Sequence, residues 1–264
     1  GYAAKLEYPL NQDSLDYANK RFDKIYNKYL KNTDVNVYFS VIPDKSYYIG
    51  EKNGYPVMDY QKLFDNIQEN NEWAKYIDIT GKLDIQDYYK TDTHWRQENI
   101  LDVAQLLCEN MGVDKPTADI FTKEKVEKPF YGVYYGQAAL PMPSEEMYVL
   151  NSNTLSGCVV TDFETNKKTV VYDKAMWENK DLYDYYLGGA KALLTIENPN
   201  ATTNRELVIF RDSFGSSIAP LLAEGYAKIT LLDARYLHQS MIGSYVTFDN
   251  QDVLFLHSTS VLNN

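Results

Sequence analysis

The sequence predicts an α/β fold in which helices flank a mostly parallel sheet. In the last third of its 264 residues, three apolar stretches have the composition of strands, at 206–213, 228–236 and 252–258. A helical pattern over 215–226 separates the first two of them. Strands joined by helical stretches of this length usually pair in parallel, because the crossover helix returns the chain to the same end of the sheet.

Periodic apolar residues predict the regular elements of the first half. In the first of these elements, Leu15, Phe22 and Ile25 share one face of a helix. The last of them ends at Gly112, a residue typical of helix C-termini. The pattern predicts helices at 14–31, 58–71 and 97–111, and strands at 35–43 and 76–80.

The middle of the chain, residues 115–180, has a different character. It combines alternating apolar and polar runs such as "YGVYYG" and "KKTVVYD" with a turn signal, "ETNKK", and it contains Pro116, Pro129, Pro141 and Pro143. These patterns are typical of hairpins. We therefore expect a β-rich insertion at about 115–180 within a single domain that spans residues 1–264.

Composition excludes some classes of partner. The net charge is −11 without any basic stripe, so a nucleic acid would be repelled. The 24 tyrosines offer flat apolar faces with polar tips, which suit sugar rings, although most tyrosines line cores and strand faces. No apolar run is long enough to span a bilayer. The first residue is Gly1 without a preceding Met, which leaves room for a removed export signal or membrane anchor.

Two cysteines are too few to form a disulfide framework. Cys108 lies on the apolar face of the predicted helix 97–111, and Cys158 lies in a strand-like run. We expect two free thiols, with a disulfide between them as the alternative. No cysteine and histidine cluster has zinc spacing, and no cofactor is predicted.

The stretch "VIFRDSFGSS" places Ser213 where an apolar strand ends and a helix begins. In α/β sheets this edge is where ligands bind, and amide groups at a helix N-terminus favour an oxyanion. Ser213 is therefore a candidate nucleophile. The alternative is that Ser213, Ser216 and Ser217 are ordinary helix caps.

A serine nucleophile needs a base, and the stretch "TDTHW" supplies one. Asp92 precedes His94 by two residues, so that both side chains would lie on one side of an extended segment. The carboxylate can then fix the histidine tautomer. The pair could also be a metal half-site or a helix cap. Of the other histidines, His238 falls in a loop and His257 in an apolar strand.

Together these motifs resemble the DHHW proteins, relatives of the alginate O-acetyltransferase proteins in the SGNH-hydrolase superfamily. "TDTHW" resembles the family signature, and "VYFSVIPDKSYYI" resembles its early strand with Pro-Asp-Lys. "YDYYLGGAKALLTIE" resembles its Gly-Gly segment. "ELVIFRDSFGSSIAPLLAEGYAKITLLDARYL" resembles its strand ending in Asp-Ser and the segment that follows. The resemblance covers about two thirds of the chain.

The resemblance implies an SGNH-hydrolase-like, flavodoxin-like sheet with a permuted order of motifs. It implies a triad of Ser213 as nucleophile, His94 as base and Asp92 as the orienting acid. The implied activity is that of a carbohydrate O-acetylesterase or O-acetyltransferase acting through an acetyl-enzyme. The resemblance also implies a polysaccharide substrate and a membrane acetyl-donor system. It implies a location at the bacterial cell surface, either secreted or membrane-tethered.

The chain departs from the family pattern at Ala190, where an Asn is expected after Gly-Gly. An alanine side chain cannot donate to an oxyanion, which leaves the amides of Gly189 and Ser213 as candidate donors. A degenerate glycan-binding or polysaccharide-assembly protein is the alternative function. A metal-dependent hydrolase using Asp92 and His94 as ligands is a third. Candidate substrate contacts are Trp95, Arg235 and Tyr236, with an ordinary salt bridge as the competing account of Arg235.

Overall fold

The computed structural model describes residues 1–139 and 141–264. The strands within these residues are β1 (Asn36–Ile42), β2 (Lys75–Tyr76), β3 (Thr122–Lys125), β4 (Tyr148–Asn151), β5 (Val159–Asp162), β6 (Lys167–Thr169), β7 (Leu193–Glu197), β8 (Glu206–Arg211), β9 (Lys228–Leu232) and β10 (Asp252–Ser258). The α-helices are α1 (Gln12–Ile25), α2 (Lys45–Ile49), α3 (Tyr60–Asn70), α4 (Leu101–Met111), α5 (Val133–Gln137), α6 (Asn153–Gly157), α7 (Gly215–Ile218) and α8 (Thr259–Leu262).

Eight strands form one sheet in the order β2-β1-β10-β8-β9-β7-β5-β6. The first five run parallel to one another, and β7, β5 and β6 continue the sheet in antiparallel pairs that begin at β9. β3 and β4 pair in a separate two-stranded sheet. The predicted fold class, a mostly parallel α/β sheet with flanking helices, is confirmed.

The two faces of the sheet are buried under different helices. Along β8, Leu207 and Ile209 belong to a core shared with α4 and α7, whereas Val208 and Phe210 belong to a core shared with α1 and α3. This alternation follows from the two-residue period of a strand. We call the two sides the α4 face and the α1 face.

Two predicted helices are shorter than their apolar patterns. The helix predicted at 14–31 is α-helical to Ile25 and continues as a π-helical turn over Tyr26–Leu30. The helix predicted at 215–226 is α-helical only in α7 and then becomes a 3₁₀ helix over Ala219–Gly225. Pro220 explains this change, because it has no amide hydrogen to donate to the carbonyl four residues earlier.

Other predicted boundaries also move inward. The helix expected at 97–111 begins as a 3₁₀ turn over Gln97–Asn99 before α4. The strand expected at 76–80 pairs only over Lys75–Tyr76, and the strand expected at 228–236 ends at Leu232. Beyond Leu232, the amide of Asp233 donates to the carbonyl of Ala192, and the chain turns away from the ladder.

The middle segment combines hairpins with an unexpected helix. β5 and β6 form a hairpin that extends the antiparallel end of the main sheet. The run "YGVYYG" was expected to be a strand, but it contains α5, and that expectation is wrong. The amide of Val133 donates to the Asp92 carboxylate, and the amide of Tyr134 donates to the Thr91 carbonyl. Such contacts between distant segments cannot be predicted from the periodicity of the sequence. Further 3₁₀ turns lie at Glu51–Asn53, Thr80–Lys82, Ile85–Asp87, Ala118–Ile120, Lys174–Glu178, Leu182–Tyr185 and Gln239–Ser244.

Both cysteines, Cys108 and Cys158, are buried free thiols, as expected. None of the helices in the described part of the chain has the length and apolar character to cross a membrane.

Candidate active site

Ser213 lies in the tight turn between β8 and α7, at the carboxyl end of the parallel strands, and is half-buried. The neighbouring carboxylate of Asp212 holds this turn in place. It accepts the amide of Phe214 at 3.0 Å and the amide of Ser258, at the end of β10, at 2.7 Å. Gly215 is required next, because a Cβ there would lie 2.7 Å from Cβ of the buried Arg211.

Asp92 and His94 lie in a bend between Tyr88 and Trp95, which form an antiparallel bridge. The expectation of an extended segment is therefore wrong. Asp92 accepts the backbone amide of His94 at 2.9 Å, which folds the chain into an Asx-type turn. The side chains still meet, because the same carboxylate oxygen, Oδ1, also lies 2.6 Å from Nδ1 of His94.

The fold brings Ser213 to the other side of the same imidazole. Nε2 of His94 lies 2.7 Å from Oγ of Ser213. Because the ionised carboxylate of Asp92 can only accept, Nδ1 carries the proton and Nε2 is left to accept from the serine hydroxyl. This is the geometry required for a serine to pass its proton to a histidine.

The surroundings favour an ionised Asp92. Its side chain is fully buried, which by itself would raise its pKa, but the charge of His94 and hydrogen bonds from His94 and Val133 outweigh burial. The net effect is a lowered pKa for the Asp92 carboxyl. A carboxylate that stays charged can hold the histidine tautomer and stabilise a transient imidazolium.

Lys45 holds the bend from below. It is 2% exposed, and its Nζ donates to the carbonyl of Asp92 at 2.6 Å and to that of Tyr89 at 3.0 Å. Burial lowers the pKa of Lys45 to about 8, against the opposing effect of nearby carboxylates, the first of which is Asp92. Lys45 is the lysine of the Pro-Asp-Lys stretch, and no sequence pattern indicated this contact.

Tyr183 supports the imidazole, and sequence reasoning missed it. Its ring is stacked on the His94 ring with centroids 3.8 Å apart and planes 9° apart, and Phe214 contacts the imidazole at 4.8 Å. The tyrosine hydroxyl and Nε1 of Trp95 both donate to Oγ of Ser217 at 2.8 Å. One buried hydroxyl therefore fixes two of the aromatic groups around the site.

The two candidate oxyanion donors differ in the structure. The Gly189 amide donates to the carbonyl of Tyr186 at 3.2 Å and closes a turn, so its hydrogen is already paired. Gly189 has φ +83°, and a Cβ there would lie 2.1 Å from Oδ1 of Asp184, which explains the glycine. The Ser213 amide, in contrast, has no hydrogen-bond partner within residues 1–139 and 141–264.

The structure places the three candidate substrate contacts in different surroundings. Trp95 is fully buried, and its indole donates to Ser217 and packs on Phe214. Arg235 forms a two-pronged salt bridge with the buried Asp233, at 2.6 Å and 2.9 Å. This is the competing account from the sequence, and the same arginine lines a cavity on the α1 face. Tyr236 is 59% exposed and packs under the Arg235 guanidinium.

Both nitrogens of His94 have protein partners, Asp92 and Ser213. Among the described residues, no group of three or more histidine, cysteine or acidic side chains is arranged to hold a metal ion. This arrangement gives no support to the third function considered from sequence.

Sheet order and site geometry together define a mixed α/β protein with an SGNH-hydrolase-like fold. The chain belongs to the DHHW protein family, whose model matches residues 57–232, more than half of the chain. No curated protein sequence matches it.

Three solved structures are similar to the chain. A DHHW family protein from Eubacterium siraeum has a TM-score of 0.75 at 21% identity, covering 100% of this chain and 87% of that one. PatB1 of Bacillus cereus with a sulfonyl adduct has a TM-score of 0.75 at 18% identity, with coverages of 100% and 94%. The O-acetyltransferase domain of Pseudomonas putida AlgJ has a TM-score of 0.54 at 12% identity, with coverages of 96% and 84%. At these identities the likeness shows the fold.

Proposed function

We propose that this protein is a serine-dependent O-acetyltransferase or O-acetylesterase in which Ser213 is the nucleophile. The observation that carries the proposal is the unbroken hydrogen-bond chain from Asp92 through His94 to Ser213, with distances of 2.6 Å and 2.7 Å. His94 is the general base, and Asp92 orients it.

The reaction proceeds in two halves. In the first, Oγ of Ser213 attacks the carbonyl carbon of an acetyl ester while Nε2 of His94 takes the hydroxyl proton. The tetrahedral intermediate collapses when the bond to the leaving alcohol breaks and His94 returns the proton to that alcohol. In the second half, an acceptor hydroxyl loses its proton to His94 and attacks the acetyl-serine; the bond between the acetyl carbon and Oγ then breaks, and His94 returns the proton to Oγ of Ser213.

The intermediate carries a negative oxygen that needs donors. The unpaired amide of Ser213 at the head of α7 is the donor that the described structure leaves free. Such a donor contributes about 3 kcal/mol of transition-state stabilisation in other acyl-transfer enzymes. Release of the Gly189 amide from Tyr186 on substrate binding would supply a second donor.

We further propose that the acyl acceptor or ester is a carbohydrate outside the cytoplasm, with acetyl groups delivered by a membrane donor system. The similar AlgJ structure is that of an O-acetyltransferase domain, which supports acetyl chemistry on this fold. The PatB1 structure contains a sulfonyl adduct, and sulfonyl groups are captured by activated nucleophiles. The net charge of −11 favours a neutral glycan over an anionic one.

The test uses a chromogenic acetyl ester and an arylsulfonyl fluoride. Wild-type protein should hydrolyse the ester, and the reagent should block it by modifying Ser213, as located by mass spectrometry. Ser213→Ala should reduce kcat/KM by about 10³-fold or more. Ser216→Ala is the matched control, because its buried hydroxyl has no partner in the described chain. An unchanged rate in Ser213→Ala would remove the serine from its role.

A second experiment separates transfer from hydrolysis. Adding an oligosaccharide acceptor to the same reaction should yield an acetylated sugar if the protein is a transferase, and only free acetate if it is an esterase. The acyl-enzyme is common to both, so the triad does not decide between them.

The non-catalytic alternative, a glycan-binding or assembly protein, has one observation in its favour. Ala190 provides no side-chain donor, and the neighbouring Gly189 amide is paired. Binding of oligosaccharides without turnover, equal in wild type and Ser213→Ala, would favour this function over acyl transfer.

A further inference from the structure

The bend that carries Asp92 and His94 is held by a carboxylate from a distant part of the chain. Glu145 lies in the middle segment, and only 9% of its side chain is exposed. Its Oε1 accepts the backbone amide of Lys90 at 2.8 Å. Its Oε2 accepts both the backbone amide and the hydroxyl of Thr91, each at 2.7 Å. Three hydrogen bonds therefore connect Glu145 to the two residues that precede Asp92.

A second set of contacts to Thr91 comes from the start of α5. The amide of Gly132 donates to the Thr91 hydroxyl at 3.1 Å, and the amide of Tyr134 donates to the Thr91 carbonyl at 3.0 Å. An antiparallel bridge between Phe130 and Glu145 connects the two sets of contacts. Thr91 is fully buried, and its amide, hydroxyl and carbonyl are all paired. Its position is therefore fixed by the fold of the middle segment.

These contacts extend to the acid of the triad. Asp92 follows Thr91 directly, and its Oδ2 accepts the amide of Val133 at 2.8 Å. Its other oxygen, Oδ1, lies 2.6 Å from Nδ1 of His94. Because Oδ2 is held by the start of α5, the direction in which Oδ1 faces the imidazole depends on the relative positions of Thr91 and α5.

We propose that Glu145 is a positioning residue for the Asp92 and His94 pair. Its carboxylate fixes the backbone of Lys90 and Thr91, and the fixed backbone places Asp92 against Nδ1 of His94. The inference rests on the proposed acyl transfer, because it assigns a role within that reaction. A displacement of about 1 Å can reduce the rate of an enzyme about 100-fold, so the hold on this bend is expected to matter for turnover.

Glu145→Gln tests this role with little change in shape. The three groups that face the carboxylate are all donors, whereas a glutamine offers one acceptor oxygen and one donating NH₂ group. Whichever way the amide turns, its NH₂ group faces a backbone N–H, and the bend has to move. Glu146→Gln is the matched control, because Glu146 is exposed and pairs at the surface with Lys125.

Kinetics with the chromogenic acetyl ester give the first measurement. We expect Glu145→Gln to lower kcat by about 10- to 100-fold and to leave KM within about twofold, because the bend and not the substrate is affected. Modification of Ser213 by the arylsulfonyl fluoride should slow by a similar factor, and Glu146→Gln should match wild type. A role in stability alone would lower the free energy of unfolding and leave kcat of the folded protein unchanged. Equal kcat in the two variants of an active protein would overturn the proposal.

Threonine variants test the same contact from its other partner. Thr91→Val removes the hydroxyl that donates to Glu145 and should reproduce the loss of kcat, whereas Thr91→Ser keeps the hydroxyl and should retain most of the activity. The double variant with Glu145→Gln and Thr91→Val should lose less than the product of the two separate losses, because both changes disrupt one contact. Fully multiplicative losses, or a Thr91→Ser variant as slow as Thr91→Val, would contradict the proposal.

Nuclear magnetic resonance distinguishes failure of this proposal from failure of the proposed function. In protein with isotope-labelled histidine, the proton on Nδ1 of His94 reports its hydrogen bond to Asp92 without any turnover. We expect its low-field resonance in wild type and in Glu146→Gln, and a shifted or weakened resonance in Glu145→Gln. A wild-type protein without ester hydrolysis or Ser213 modification would count against the proposed function. A resonance that is unchanged in Glu145→Gln would overturn the positioning role.

Discussion

Oγ of Ser213 lies 2.7 Å from Nε2 of His94, although 119 positions of sequence separate them. The serine lies in the turn after β8, and the histidine lies in a bend that is closed by the antiparallel bridge between Tyr88 and Trp95. Because neither residue lies in the middle of a regular element, their contact depends on the hydrogen bonds that fix these two short segments.

Asp92→Asn should reduce kcat by about 10³- to 10⁴-fold without unfolding the protein. Oδ1 of Asp92 accepts two hydrogens from His94, and Oδ2 accepts the amide of Val133. An amide has only one acceptor oxygen, so if Val133 keeps its acceptor, the new NH₂ group faces Nδ1 and forces the wrong histidine tautomer. Steady-state kinetics with the chromogenic ester, with circular dichroism as the control for folding, measure the effect. Wild-type kcat in this variant would contradict the role of Asp92.

Gly132→Ala should impair both stability and activity, whereas Gly136→Ala in the same segment should not. A Cβ at Gly132 would lie 2.3 Å from the Thr91 carbonyl oxygen and 2.4 Å from Cβ of Asp92. A Cβ at Gly136 would meet no atom of the described residues within 4 Å, and alanine favours α5 by up to about 1 kcal/mol. Thermal unfolding and ester hydrolysis of both variants provide the comparison. Equal behaviour would show that α5 does not constrain Asp92.

Ser217→Ala should lower the free energy of unfolding by about 1–3 kcal/mol, because Trp95 and Tyr183 lose their shared acceptor. It should also reduce kcat, since Tyr183 is the platform for the His94 ring. Ser216→Ala, one position earlier and equally buried, should be close to neutral, because its hydroxyl has no partner in the described chain. Denaturant unfolding measures both variants, and equal stabilities would contradict the shared-acceptor role.

The pH dependence of stability should report His257. Burial lowers the pKa of His257 in the folded state from 6.5 to about 4. Between these two pH values the histidine is protonated in the unfolded state and neutral in the folded state. The stabilising contribution is complete above about pH 6.5 and is lost as the pH falls to about 4, by about 3 kcal/mol at about 1.4 kcal/mol per pKa unit. His257→Phe should lose less stability over this interval than wild type. Parallel pH profiles would show that the histidine titrates normally.

The fold was largely predictable from the sequence, because strands such as β8 and β10 are buried on both faces and are therefore apolar throughout. The spacing of Asp92 and His94 was also informative, even though a bend and not an extended segment brings them together. α5 was missed because its first amides are satisfied by Asp92 and Thr91, about forty positions away in sequence. Trp95, which was expected to contact substrate, is buried, because sequence cannot tell an indole that packs in the core from one that faces a ligand.

Tyr183 could not have been found by periodicity. Its stacking on His94 joins a 3₁₀ turn to a bend, and no repeat links two irregular segments. The aromatic density of "YDYYLGG" was visible, but which ring meets the imidazole depends on the tertiary fold. Contacts of this kind depend on the tertiary positions of both backbone segments and cannot be inferred from the sequence of either one.

The Asp212 carboxylate joins the serine turn to the end of β10, a strand that lies between β1 and β8 in the sheet. β10 follows both of these strands along the chain and lies beyond the 57–232 segment that matches the family model. The turn that carries Ser213 should thus reach its final conformation late in folding, when β10 inserts between β1 and β8. Until that insertion occurs, the amide of Ser258 is not in place to donate to the Asp212 carboxylate, and the turn that carries Ser213 lacks one of the two backbone contacts that hold it.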